Sequence, residues 1–166
     1  DAMKKELKAQ LDAKVLVQMK KSEIPKGATV LPAVWQMKRK RDIMSREVFK
    51  WKARLNIDGS RMVHERDYDQ TYAPVVTWNS IRLLLILTLI HGWHTAQLDY
   101  VLAFPQAPVE RDLYMKIPKG FEVQDGHTED YVFQLKRNLY GQKQAGRVWN
   151  KFLVKGLKEI GFVQSV

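Results

Sequence analysis

The chain of 166 residues carries 28 Lys and Arg against 18 Asp and Glu, a formal net charge of +10, with 45% hydrophobic and 28% charged residues and no cysteine. That length suits one domain or part of one, the composition suits a folded chain, and the lack of cysteine excludes disulfides, thiolate metal sites and cysteine nucleophiles. Four histidines without a His-x-x-x-His pair argue against zinc, and the apolar stretch at 81–90 is too short to span a bilayer. The positive excess favours a polyanionic partner, nucleic acid before an anionic membrane surface.

Residues 2 to about 19 read as a helix, with Leu7, Leu11 and Val15 on one face. Pro25-Lys26-Gly27 marks a turn. Segments 30–38 and 48–57 read as strands joined by a charged loop at 39–46, and Asp58-Gly59 ends the second. Residues 61–76 lack a period and read as an ordered loop around Pro74. Thr77 is positioned to cap a helix from 78 to about 91, buried through Ile81, Leu84, Leu85 and Thr88 and stopped by Gly92. Segment 93–99 then reads as a strand, with Trp93, Thr95, Gln97 and Asp99 on one face and His94, Ala96 and Leu98 on the other. A turn-like stretch holding Pro105 and Pro108 precedes short strands at 113–117 and 131–135. Trp149, Phe152, Leu153, Leu157 and Ile160 define one face of a helix at about 147–160, with Gly161 as its stop. Strands and helices mix without βαβ regularity, so the expected class is α+β.

Two patterns bear chemistry. Lys38-Arg39-Lys40-Arg41 and Lys50-Trp51-Lys52-Ala53-Arg54 hold the densest positive charge; in a strand Lys50, Lys52 and Arg54 share a face opposite Trp51, Ala53 and Leu55. Such a hairpin can bind a triphosphate or a nucleic-acid backbone, but charge alone is served as well by a solvated hairpin guarding a sheet edge. Asp99 closes a mostly apolar run, Gln97-Leu98-Asp99. A carboxylate there can hold a hard divalent cation with a backbone carbonyl beside it, or simply cap the following turn.

A longer series of residues is collinear with a known pattern. Trp35, Lys38, Lys40 and Lys52-Ala53-Arg54-Leu55 are followed by Asp67-Tyr68-Asp69-Gln70-Thr71-Tyr72-Ala73-Pro74-Val75-Val76 and Ile81-Arg82. Gly92-Trp93, Gln97-Leu98-Asp99, Ala103-Phe104, Leu113-Tyr114-Met115, Pro118-x-Gly120-Phe121 and Leu139-Tyr140-Gly141-x-Lys143-Gln144-Ala145 continue it to Arg147, Trp149 and Gly161-Phe162. In these motifs the chain resembles the reverse transcriptase of copia-type LTR retrotransposons over essentially its whole length.

The resemblance implies an RNA-directed DNA polymerase of right-hand fold. Residues 1 to about 92 would be mainly fingers, and about 93–166 the start of the palm with a segment returning to the fingers. It implies Asp99 as the first catalytic, metal-binding carboxylate, with the Tyr100 backbone carbonyl beside it. The reaction it implies is attack of a primer 3′-hydroxyl on the α-phosphate of a deoxynucleotide, with two Mg²⁺ ions bracketing the attacking and leaving oxygens. Phe104 matches the aromatic set against the 2′ carbon of the nucleotide; its bland alternative is a core Phe. Lys38, Lys40, Lys52 and Arg54 become the candidates for the triphosphate. Tyr140, Gln142 and Gln144 become nucleotide-pocket residues, or merely a turn into the last helix. Arg39, Arg41, Lys143 and Arg147 are expected on the nucleic acid.

The implied partners are an RNA or DNA template-primer and deoxynucleoside triphosphates, with no membrane. The parent is expected to be a cytoplasmic polyprotein of a virus-like particle that includes integrase and RNase H. Three departures, Val101-Leu102 for Lys-Thr, Pro105-Gln106-Ala107 for Leu-Asn-Gly and Ala145-Gly146-Arg147 for Ala-Pro-Arg, mark a diverged or decaying copy. The chain starts at Asp1 without an initiator Met or a signal-peptide pattern, and stops after a helical pattern. Both ends are therefore expected to be cuts, with the Tyr-x-Asp-Asp hairpin beyond Val166. The polypeptide is then an incomplete domain, expected to be inactive alone; the alternative function is a non-catalytic nucleic-acid-binding remnant.

Overall fold

The computed structural model describes residues 1–123 and 126–163. Helix α1 spans Ala2–Asp12, and strand β1 follows at Leu16–Lys20. The helix is shorter than its apolar period suggested. Lys14 turns the chain with φ 53°, and Val15 and Leu16 drop into the core. Strand β1 then pairs antiparallel with strand β6 (Tyr131–Leu135), Leu16 opposite Leu135. Sheet pairing there outweighs a helical pattern that the residues alone could also satisfy.

Pro32 splits the first expected strand, since it cannot donate to a ladder. Val30–Leu31 forms β2, parallel to β5 (Tyr114–Lys116), and Ala33–Arg41 forms β3, antiparallel to β4 (Val48–Ile57). One sheet thus has the order β1-β6-β5-β2 and a separate ribbon pairs β3 with β4. The ribbon runs to Arg41, leaving a shorter loop than expected. Asp42 closes it by accepting from the Met44 and Ser45 backbone N–H groups at 2.9 Å each. Leu7, Leu31, Leu55, Ile57, Met115, Phe133 and Leu139 lie in one core, so α1, the sheet and the base of the ribbon are packed together.

The first part of loop 61–76 is anchored by a buried carboxylate. Asp67, 2% exposed, accepts from Thr29 Oγ1 at 2.6 Å, from the Val63 N–H at 2.8 Å and from Arg66. Burial is the largest influence on its pKa and pushes it up, but these hydrogen bonds together hold the carboxyl below its ordinary range.

Helix α2 occupies Trp78–His91, with Thr77 Oγ1 accepting from the Ser80 N–H at 3.3 Å and Gly92 in the left-handed region at φ 63°. Its expected burial is overturned. No residue of α2 is buried, and Leu84 and Leu85 are 58% and 53% exposed. The helix is apolar on every side, and among the described residues no element covers it. Segment 93–99 is likewise not a strand: its residues have no regular structure and are exposed on both faces. A strand is defined by its ladder, and no partner lies beside this one among the described residues.

Leu102, at φ 52°, turns the chain into a short helix α3, Ala103–Gln106, where only a turn was expected. The last helix, α4, spans Ala145–Glu159. Gly161 stops it, as expected: its N–H bonds the Lys158 carbonyl and that of Phe162 the Leu157 carbonyl, the paired bonds of a Schellman cap. The expected face is only partly covered. Trp149, Leu153 and Leu157 are half-buried and Phe152 and Ile160 exposed, while the buried residues of the helix, Ala145 and Val148, are not among those expected.

Candidate functional site

The block 139–144 crosses the base of the ribbon. Tyr140 bridges Asn56 in parallel, and its carbonyl accepts from the Ile57 N–H at 2.8 Å. Gly141 makes the crossing possible: at φ 94°, a Cβ on it would sit 2.1 Å from the Ile57 carbonyl oxygen. The crossing fixes the Tyr140 ring beneath the Arg54 guanidinium, 5.6 Å away, and against Phe104, with centroids 5.1 Å apart. Chain segments far apart in sequence therefore meet at one aromatic ring.

Beside that ring is a cleft of about 350 Å³ lined by Glu6, Lys52, Arg54, Asp99, Tyr100 and Tyr140, among others. The Tyr100 ring packs edge-on against Trp149 at 5.3 Å, and Gln106 Nε2 donates to the Val101 carbonyl at 2.8 Å. These contacts tether the exposed segment that carries Asp99. On the opposite wall the ribbon supplies charge. Its register puts Lys38 opposite Lys52, Lys40 opposite Lys50 and Gln36 opposite Arg54, so five cations share one face. Like charges placed directly across a ladder repel. The Lys52 ammonium is accordingly held below its usual pKa, chiefly by Arg54, then by partial burial and Lys40, while Glu6 pulls the other way. An anion in the cleft would relieve that repulsion.

The structure thus brings Lys52, Arg54, Asp99, Tyr100 and Tyr140 to one cleft, with Phe104 against Tyr140. Lys38 and Lys40 share the cationic face farther along β3. Arg39 and Arg41 project differently: Arg39 lies over the Trp51 ring at 5.7 Å, and Arg41 donates to the Arg46 carbonyl. Gln142 and Gln144 are buried beneath the block rather than facing the cleft. Gln142 Oε1 accepts from the Leu139 N–H at 3.3 Å, while both side-chain polar atoms of Gln144 lack a partner among the described residues. Lys143 donates to the Tyr68 hydroxyl at 3.2 Å, and Arg147 pairs with Glu110 at 2.8 Å. Val101 and Leu102 also line the cleft, and Glu6 is the charged lining residue that sequence reasoning missed. Its Oε1 accepts from Gln10 at 3.1 Å and from the Leu55 N–H at 3.4 Å, a link across 49 positions with no local signature.

Asp99, the Tyr100 carbonyl and Glu6 are hard oxygen donors of the kind Mg²⁺ takes. Among the described residues no group of three or more His, Cys, Asp or Glu could hold a metal. An ion held by one or two carboxylates and completed by substrate phosphates fits that donor set.

A family model described as reverse transcriptase (RNA-dependent DNA polymerase) matches residues 17–166. The chain belongs to that family, and its relatives identify it as a reverse transcriptase fragment of a copia-type retrotransposon. Among these relatives, the Retrovirus-related Pol polyprotein from transposon TNT 1-94 of Nicotiana tabacum is 38% identical over 127 residues, covering 76% of this chain and 9% of the polyprotein. The Pol polyprotein from transposon RE1 of Arabidopsis thaliana is 40% identical over 117 residues, 70% of this chain and 8% of its own length. The putative transposon Ty5-1 protein of Saccharomyces cerevisiae is 37% identical over 65 residues, 39% of this chain and 20% of that protein. The chain therefore spans less than a tenth of the plant polyproteins it matches. No solved structure matches it.

Proposed function

We propose that this chain forms the fingers and the first half of the palm of an RNA-directed DNA polymerase, divided near residue 92, and that its cleft receives the incoming deoxynucleoside triphosphate. The observation that carries this reading is the meeting of Asp99 and Tyr100 with Lys52, Arg54 and Tyr140 in one cleft. Lys52 and Arg54 hold the triphosphate, Arg54 through paired N–H donors and Lys52 as a point charge. Lys38 and Lys40 extend the same positive face and draw the anion in. Tyr140 and Phe104 form an aromatic floor, and Phe104 excludes a 2′-hydroxyl. Asp99 and the Tyr100 carbonyl would hold Mg²⁺, which when bound would supply charge neutralisation of the phosphates and Lewis-acid polarisation of their oxygens. Arg39, Arg41 and Lys143 face the template-primer, while Gln142, Gln144 and Arg147 brace the pocket from below. The parent is a cytoplasmic retrotransposon polyprotein acting in a virus-like particle.

Isothermal titration of the chain with a deoxynucleoside triphosphate and Mg²⁺ tests the reading. Saturable binding is expected, weakened at least about tenfold by Arg54→Ala, which removes the paired charge-assisted hydrogen bonds of the guanidinium. Phe104→Ala should raise affinity for the ribonucleotide relative to the deoxynucleotide. Equal binding by wild type and Arg54→Ala would remove the cleft from the reading. In a chain extended to the length of its relatives, Asp99→Asn should abolish primer extension.

A further inference from the structure

The β3–β4 ribbon has a second face that the cleft does not use. Along β4, Ala53, Leu55 and Ile57 of this face are buried in the core, but the next residue outward, Trp51, is 59% exposed. Cross-strand pairing sets Arg39 opposite Trp51 and Met37 opposite Ala53, so all three outer side chains, Trp51, Arg39 and Met37, share this side. The ribbon extends past the core as an arm, cationic on one face and bearing an uncovered indole on the other.

We propose that this outer face, Trp51 flanked by Arg39 and Met37, is a stacking platform for unpaired bases of a single-stranded nucleic acid. The inference rests on the nucleic-acid reading above and adds to it a partner, a strand rather than a duplex, and a residue, Trp51. The Arg39 guanidinium lies over the indole at 5.7 Å, and among the described residues no carboxylate pairs with it. A free cation beside an exposed ring matches a phosphate joined to a base. Unpaired bases offer a π-face to such a ring, whereas bases inside a duplex are already stacked on one another. Charge also argues against a second copy as occupant. Arg39 and Arg41 are carried by an arm whose other face holds five more cations, so two such arms repel. Phe49, unpaired at the irregularity where Lys40 and Arg41 shift register, stands exposed beside the same tip and extends the aromatic surface.

Fluorescence anisotropy of the chain with an oligothymidine and with a blunt DNA hairpin, at matched salt, tests the proposal. Trp51→Ala should weaken oligothymidine binding about tenfold or more, leave the hairpin affinity within about twofold and leave the salt dependence unchanged. Trp51→Phe should restore most of the loss, because a ring survives. Circular dichroism of each variant checks that the fold is kept, which the exposure of Trp51 leads us to expect. Equal losses on both probes, or no loss on oligothymidine, would overturn the platform while leaving the nucleic-acid reading intact. Wild type that binds neither probe in a salt-dependent way would overturn that reading and the platform with it. A Trp51→Ala chain that keeps oligothymidine affinity but loses self-association in sedimentation would assign the face to a second copy.

Discussion

Substituting Gly141 by Ala tests how the cleft is built. Two costs combine at this position. The backbone sits at φ 94°, where a Cβ is strained, at roughly 1–2 kcal/mol. That Cβ would also lie 2.1 Å from the Ile57 carbonyl oxygen. The neighbour is backbone of β4, not the end of a flexible side chain, so it relieves the clash only by moving the strand, at about 1–3 kcal/mol. The expected loss is about 2–5 kcal/mol, which at roughly 2–4 °C per kcal/mol lowers the melting temperature by about 4–20 °C. Gly27→Ala is the control: its φ is 82° but nothing lies within 4 Å of a Cβ, so only the conformational cost applies. Thermal unfolding followed by circular dichroism reads both variants. Because Gly141 holds Tyr140 against Arg54, its replacement should also weaken triphosphate binding, whereas Gly27→Ala should not. Equal destabilisation by the two variants would refute the claim that close approach to β4 makes glycine necessary here.

Asp67→Asn should destabilise the chain by roughly 1–3 kcal/mol, because it removes a buried acceptor of charge-assisted bonds. The Asp67 carboxyl is held below its ordinary 3.8. Its contribution is therefore complete above that value and is lost as pH falls through the lower folded-state value, so the variant should flatten the acid limb of a pH–stability curve measured by urea unfolding. Gly156→Ala, inside α4 with nothing within 4 Å of a Cβ, should stabilise by about 0.5–1 kcal/mol in the same assay. Lys40→Ala should lower the slope of log affinity against log salt for a nucleic-acid probe by about 1, with the change shared by single- and double-stranded probes.

The elements easiest to read in the sequence were those whose signals are local. Thr77, Gly92 and Gly161 act as caps where their residue types predict, and strand β6 has the bounds its apolar run suggested. The misreadings arose where a distant partner decides. Val15 fits the α1 period but leads into strand β1, which pairs with β6, and 93–99 alternates like a strand yet has no ladder among the described residues. The burial assigned to α2 failed for the same reason, since an apolar pattern states what a helix needs but not what is there to cover it. In the site, strand alternation was enough to align Lys50, Lys52 and Arg54, and the register then added Lys38 and Lys40. The arrival of Glu6 and the burial of Gln142 and Gln144 depend on packing between segments far apart, which no spacing rule encodes.

The two walls of the cleft are held by different means, and this has a functional consequence. The cationic wall belongs to a hydrogen-bonded ribbon locked to the core through Leu55 and Ile57 and crossed by the 139–144 block. The wall bearing Asp99 is an exposed segment without regular structure, tethered by the Tyr100–Trp149 contact and the Gln106 bond to Val101. Anion binding by the first wall does not require the second. Without Mg²⁺, Asp99→Asn should therefore leave triphosphate affinity unchanged or slightly raise it, because it removes a negative charge from the cleft. With Mg²⁺ present the same substitution should weaken binding, because a donor to the ion is lost. Trp149→Ala, which frees the Tyr100 side of the tether, should mimic the Mg²⁺-dependent loss while leaving the Mg²⁺-free affinity alone. If Trp149→Ala instead weakened binding equally with and without the ion, the two walls would be mechanically coupled and the division argued here would be wrong.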